Sequence, residues 1–189
     1  MSELYYERST CRLCASGQLE MAMPLVATPV GDKYLPSDRR DETRETIPLD
    51  LYLCKSCGHL QTGAVVSAAT IYKHYLSRPA AVNPVLSDAY RQYAEGIIAD
   101  VHPPENGLIV ELGSNDGAFL KFFKEQGMKV LGVDPAENLA TAATNMGVET
   151  LPTFFSAELA AQIKAERGAA SVIITNFAYA NMDDLNDVT

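Results

Sequence analysis

Two groups of residues in this sequence have the types and spacing to do chemistry. The first is four cysteines in two identical pairs, Cys11 and Cys14 in CRLC and Cys54 and Cys57 in CKSC. Each pair can present two thiolates from a tight turn. Two such turns build the tetrahedral four-sulfur shell that Zn²⁺ prefers. The second group is an acidic glycine loop, VELGSNDG, with Asp134 twenty-one residues beyond Gly113. A carboxylate at the end of a neighbouring strand can accept both hydroxyls of a ribose.

The metal reading of the cysteines has physical support on either side of them. Gly58 follows the second pair and suits the positive-φ position of a knuckle turn. Leu49, Leu51 and Leu53 alternate before it, as a short strand entering the turn would. A filled four-thiolate site leaves no open position for catalysis, so the zinc would be structural. A redox dithiol and buried free thiols are the alternatives. His59 adjoins Cys57, and with four thiolates at hand it reads as a bystander. The stretch DRRDETRE between the pairs reads as a solvated loop.

The composition narrows the classes of partner. The chain has 189 residues and a net charge of −9. Clustered Lys and Arg are needed to neutralise phosphates, so an acidic chain predicts no nucleic-acid partner. No apolar run is long enough to span a membrane. The start, MSELYYERST, lacks a basic region and an apolar core, so no secretory signal is expected. A cytoplasmic, reducing location follows, which disfavours disulfides.

The elements that must hold these groups fall into three segments, expected at 1–68 (zinc-binding domain), 69–106 (helical connector) and 107–189 (α/β domain). In the connector, Tyr72 and Tyr75 share a helical spacing. Val85, Leu86, Ala89, Tyr90, Tyr93, Ala94, Ile97 and Ile98 recur with the period of an amphipathic helix. Tyr90 and Tyr93 read as packing residues. Tyr75 stands before an irregular Ser-Arg-Pro loop, where its hydroxyl can reach a ligand. From Gly107 strands and helices alternate: LIVELG, then a helix in SNDGAFLKFFKEQG, KVLGVD, PAENLATAATNMG, VETLPTFF, SAELAAQIKAERG with Ser156 as N-cap, ASVIITNFA, and a helix beginning in NMDDLNDVT. That order predicts a parallel sheet with right-handed crossovers.

In such a sheet the ligand lies beyond the carboxyl ends of the strands, at the switch point beside the first. Glu111, Gly113, Ser114, Asn115, Asp116 and Gly117 stand there. A dinucleotide brings a pyrophosphate, and Glu111 and Asp116 would repel it. A ribose gripped by Asp134 and a cationic amino group near the other acids describe S-adenosylmethionine. Asp116 as a helix-terminal acid and Asp134 as a solvated strand-end acid are the structural alternatives.

VELGSNDGAFLKFF, VLGVDPAENLA, GVETLPTFFSAELA and PLDLYLCKSCGHLQ resemble the C-methyltransferases that act on nucleotide-linked deoxyketosugars. The resemblance covers nearly all of the chain, in the same order. It implies a zinc-binding domain followed by a Rossmann-like class I methyltransferase domain, with S-adenosylmethionine as cofactor and structural zinc. Gly113, Asn115, Asp116, Asp134, Pro135 and Asn138 would line the cofactor site, with Phe154 near the adenine and Asn176 near the methyl-donating end. The implied chemistry removes a proton alpha to the sugar's keto group, after which the enolate takes the methyl group.

Two departures follow from the same comparison. Asn181 stands where the family commonly has a histidine. It cannot act as a base, but it can orient a substrate hydroxyl. Four strands are read where the family implies about seven, which predicts a partial sheet truncated at Thr189, with an edge for a partner chain or a further domain to cover. Tyr75 is the catalytic candidate from the amino-terminal half, while His74 and His102 qualify by residue type alone. A methyltransferase with another small-molecule acceptor and a non-catalytic zinc-containing assembly module are the rival functions. An NAD enzyme is disfavoured by the acidic loop.

Overall fold

The computed structural model describes residues 4–31, 34–73 and 83–189. His74 and Tyr75 lie outside the described residues. The chain forms two compact bodies, Met1–Tyr72 with Asp183–Asn186, and Lys73–Met182 with Asp187–Thr189.

In the first body β2 (Leu19–Met23), β3 (Leu51–Cys54) and β4 (Leu60–Thr62) form an antiparallel sheet in that order. β3 is the strand expected from the leucine alternation, and it ends on a zinc-ligand candidate, Cys54. A second ribbon pairs β1 (Tyr5–Glu7) with β5 (Ala64–Val66), and α1 (Ala68–Tyr72) follows.

The second body opens with α2 (Pro84–Val101). Asn83 caps it, its side chain accepting from the Leu86 N–H, and Pro84 occupies the first turn, where its missing N–H costs nothing. α2 was expected in a connector, but it packs into the core of this body. Ala94 is fully buried, with Tyr90, Ile97 and Ile98 beside it. Then come β6 (Leu108–Leu112), α3 (Ala118–Glu125), β7 (Lys129–Val133), α4 (Glu137–Asn145), β8 (Thr150–Leu151), α5 (Ala157–Arg167) and β9 (Val172–Ile174); the short α6 (Leu185–Val188) is divided between the two bodies.

The four strands form one parallel sheet in the order β8-β7-β6-β9. This is the 3-2-1-4 arrangement of a Rossmann-like half-sheet, with the first strand beside the switch point. All five residues of β6 are buried, as expected of a strand covered on both faces. On one face Ile109 and Ile174 meet Phe119, Phe122 and Phe123 of α3. On the other, Leu108, Val110, Leu112, Leu131 and Val133 meet Ile163 of α5. Each such fully buried apolar side chain contributes about 1.5–3 kcal/mol. β9 pairs with β6 and with no other described strand, so the expected open edge is present, and Ile173 on it is 60% exposed.

Two expected helix starts move. α3 begins at Ala118, four residues later than the sequence suggests, because Ser114–Gly117 are spent on a loop. The last helix is reduced to a 3-10 turn at Tyr179–Asn181 and the single turn of α6, separated by extended residues.

Candidate cofactor site and metal centre

The metal centre is built from two turns with the same backbone wiring. The N–H groups of Cys11 and Cys54 donate to the carbonyls five residues on, Ser16 and His59. The N–H groups of Ala15 and Gly58 donate back to the carbonyls of Cys11 and Cys54. The residue after each second cysteine takes positive φ, +59° at Ala15 and +78° at Gly58. The glycine was foreseeable from sequence. The alanine was not, because its backbone carries about 1–2 kcal/mol of steric cost that only the fold can impose.

The four Sγ atoms lie within 4.8 Å of one another, with 3.7 Å between Cys11 and Cys57 and 3.6 Å between Cys14 and Cys54. A tetrahedron with metal–sulfur bonds of about 2.3 Å has edges of about 3.8 Å, so this donor set fits Zn²⁺. At Cys54 burial opposes ionisation, but backbone N–H groups of Cys57 and Ser56 outweigh it and bring the thiol down to about 6. At Cys57 the His59 N–H favours the thiolate, yet the neighbouring sulfurs and burial prevail and push it up to about 12. Gln61, which sequence reasoning missed, is buried on β4 against the first turn. Its side-chain oxygen accepts from the Arg12 N–H and its amide donates to the Thr10 carbonyl. An isolated glutamine on a strand carries no signal of such a brace.

The second site stands at the carboxyl ends of β6 and β7. Every backbone N–H from Gly113 to Ala118 already has an acceptor within the protein. Gly113 and Ser114 donate to the Val133 carbonyl, and Gly117 donates to the Ser114 carbonyl. Asn115 donates to Asp134 Oδ2 at 2.8 Å, Asp116 to the Asn115 side chain at 2.8 Å, and Ala118 to Asp116 Oδ1 at 3.2 Å. A pyrophosphate-binding loop must instead leave its N–H groups free to meet the ligand. Asp134 anchors both sides of the site, since its other oxygen accepts from the Ala136 N–H at 2.9 Å. Each of its oxygens keeps a further lone pair for a ligand donor.

Glycines make this folding possible at two places. A Cβ on Gly117, which has φ +73°, would stand 2.9 Å from Val148 Cγ1. A Cβ on Gly132 would stand 2.3 Å from Ser114 Oγ and 2.5 Å from Thr150 Oγ1.

Three carboxylic acids of this region are buried: Glu111, Asp116 and Asp134. Burial pushes Glu111 up to about 8. The Asn176 amide, donating to Oε1 at 3.3 Å, opposes this, and the charges of Asp134 and Asp116 reinforce it. Burial also raises Asp134, against the N–H bonds it accepts from Ala136 and Asn115. The Tyr90 hydroxyl is raised by burial and then by Glu111 and Asp116. A shallow hollow of about 90 Å³ is lined by Ser87, Tyr90, Asp116, Lys121, Met146 and Val148 among others, and not by Glu111 or Asp134.

The structure thus brings together Glu111, Gly113, Ser114, Asn115, Asp116, Gly117, Asp134, Pro135 and Asn176. Asn138 is exposed in the first turn of α4, and Phe154 is 40% exposed beyond β8. Asn181 is exposed, and its amide donates to the Phe177 carbonyl of its own loop at 2.8 Å. Tyr75 lies outside the described residues.

Residues 11–72 match a protein family described as "Putative zinc binding domain". Along its whole length the chain is 29% identical to the C-methyltransferase NovU of Streptomyces niveus. The chain is thus similar to a zinc-binding family over residues 11–72 and to a C-methyltransferase over its whole length. It spans 44% of that relative's length. Among solved structures, the plantazolicin methyltransferase BpumL in complex with S-adenosylhomocysteine (SAH) is 12% identical, with 56% of this chain and 41% of that one covered and a TM-score of 0.43. The magnesium protoporphyrin IX methyltransferase of Synechocystis is 14% identical, with 53% and 51% covered and a TM-score of 0.37.

Proposed function

We propose that this chain carries the cofactor-binding part of an S-adenosylmethionine-dependent C-methyltransferase acting on a nucleotide-linked deoxyketosugar in the cytoplasm, in deoxysugar biosynthesis. One observation carries the cofactor half of this reading: six consecutive loop N–H groups are already satisfied while three acids are buried around them. Such a loop disfavours a pyrophosphate and favours a ribose with a cationic tail. The likeness to NovU supports the carbon acceptor.

In this proposal Asp134 accepts the ribose hydroxyls through its free lone pairs, and Asn138 and Pro135 border the sugar. Phe154 covers the adenine. Glu111 and Asp116 face the cationic end, and Asn176, tied to Glu111, sets the position of the group to be transferred. The cofactor supplies an electrophilic methyl group. The protein's share is to hold that carbon and the acceptor carbon in line and close, which can be worth several orders of magnitude in rate. Tyr75 and Asn181 are assigned to orienting the acceptor. Zinc holds the first body together and takes no part in the reaction. The open edge at β9 is assigned to a partner chain or further domain.

Equilibrium titration of the purified chain with SAH and with NAD⁺ tests this. Saturable binding of the first and none of the second is expected. Binding of NAD⁺ alone, or of neither to a folded, zinc-loaded chain, overturns it.

A further inference from the structure

Two of the buried side-chain polar atoms that lack a hydrogen-bond partner among the described residues are Glu111 Oε2 and Ser114 Oγ. Both belong to the cofactor site, and both sit against Gly132. Glu111 is the register partner of Gly132 across β6 and β7, so its side chain leaves the same face of the sheet. Ser114 Oγ covers the place where a Gly132 side chain would be. Glu111 is 3% exposed and Ser114 4%.

The surroundings of Glu111 are almost all acidic or neutral. Asp134 faces it from the end of β7, Asp116 from the loop and Tyr90 from α2, while Asn176 after β9 donates its single hydrogen bond. No lysine or arginine pairs with it among the described residues. A carboxylate with one long hydrogen bond, two acidic neighbours and an orphaned oxygen is poorly stabilised in a dry site.

We propose that Glu111 stands as a neutral carboxylic acid in the free protein and releases its proton to solvent when the ammonium-bearing cofactor binds, so that cofactor binding is proton-linked. The inference rests on the S-adenosylmethionine reading above. The bound cation supplies the positive neighbour that the fold withholds, and the ionised Glu111 then serves as its counter-ion. Only the ionised form binds well, so affinity must rise with pH until Glu111 is ionised without help. Burial pushes the pKa of this group up to about 8, which places that window across neutral pH.

The test is isothermal titration calorimetry of the whole chain with SAH. Titrations run at pH 6, 7 and 8, each in two buffers of different ionisation enthalpy. Near pH 7 the expected release is about 0.9 proton per SAH bound, and Kd should fall about fifty-fold from pH 6 to pH 8. Glu111→Gln, which is neutral and mimics the protonated acid, should bind weakly at every pH, no better than the unaltered chain at pH 6, with a flat pH profile and no proton release. SAH binding with a flat profile and no proton exchange in the unaltered chain overturns the proposal and leaves the cofactor reading standing. Proton release that persists in Glu111→Gln overturns the assignment to Glu111. No SAH binding by the folded chain at any pH overturns the cofactor reading itself. Should Glu111→Gln fail to fold, the proton count of the unaltered chain across the three pH values still decides the matter.

Discussion

Gly132→Ala is the sharpest mechanical probe of the cofactor loop. The added methyl would meet Ser114 Oγ at 2.3 Å and Thr150 Oγ1 at 2.5 Å, with Ser114 Cβ at 3.0 Å. Real Cβ atoms do not approach that closely, so something must move. Thr150 is fixed by its hydroxyl bond to the Val148 carbonyl, so Ser114 is the group that gives way. Ser114 lies next to Gly113, whose N–H holds the loop to Val133 at 2.8 Å. Overpacking a site of this kind costs about 1–3 kcal/mol. Alanine offsets about 0.4–1 kcal/mol of this by restricting the unfolded chain. A net loss of about 1–2 kcal/mol is expected, together with weaker SAH binding, because the displaced loop carries Asn115 and Asp116. Gly96→Ala is the control. Nothing lies within 4 Å of its added Cβ, and it sits inside α2, so it should stabilise by about 0.5–1 kcal/mol. Urea unfolding followed by circular dichroism, hydrogen exchange of the β7 amides and SAH titration read these effects. A Gly132→Ala chain as stable as the parent, with unchanged exchange in β7 and unchanged affinity, would refute the argument.

Three further outcomes follow from the geometry. Removing zinc with a strong chelator should unfold the first body and release about one metal ion per chain, since structural zinc sites contribute about 10–16 kcal/mol of apparent binding energy; Cys54→Ser should lower the metal content to near zero by elemental analysis. Gln61→Ala leaves the Arg12 N–H and the Thr10 carbonyl without their buried partner, so a loss of about 1–3 kcal/mol and faster zinc release to a chromophoric chelator are expected. Glu111 holds its proton more tightly in the folded chain, where it titrates near 8, than at its ordinary value of 4.5. Between those values the folded state binds more protons than the unfolded one. The contribution is therefore complete below the lower value and declines as pH rises, by about 1.4 kcal/mol per pH unit from this group alone. Urea midpoints across that range should fall less steeply in Glu111→Gln.

The parts that sequence reading reached were those whose cause is local. Two identical cysteine pairs, the alternation at Leu51 and Leu53, the Ser156 cap and the positive-φ glycine at 58 all appear as expected. The parts it missed depend on residues far apart in the chain. α3 starts late because the loop's first N–H groups are captured from the neighbouring strand, those of Gly113 and Ser114 by the Val133 carbonyl and that of Asn115 by Asp134 just beyond it. Asn115 takes φ +53° for the same reason, and Asn is among the few residue types that accept it readily. Tyr90 and Ala94 were read correctly as a packing face. What they pack against, the phenylalanines of α3, could not be told from periodicity alone. The Gln61 brace ties β4 to the first cysteine turn about fifty residues away and leaves no trace in either stretch of sequence.

The central claim is that the acids at the mouths of β6 and β7 grip a sulfur-bearing nucleoside. A crystal structure of the chain grown with SAH tests it most directly. The account predicts the ribose hydroxyls within hydrogen-bond distance of Asp134 and the ammonium group facing Glu111. A ligand bound elsewhere, with the Asp134 carboxylate contacting only Asn115 and Ala136, would contradict it.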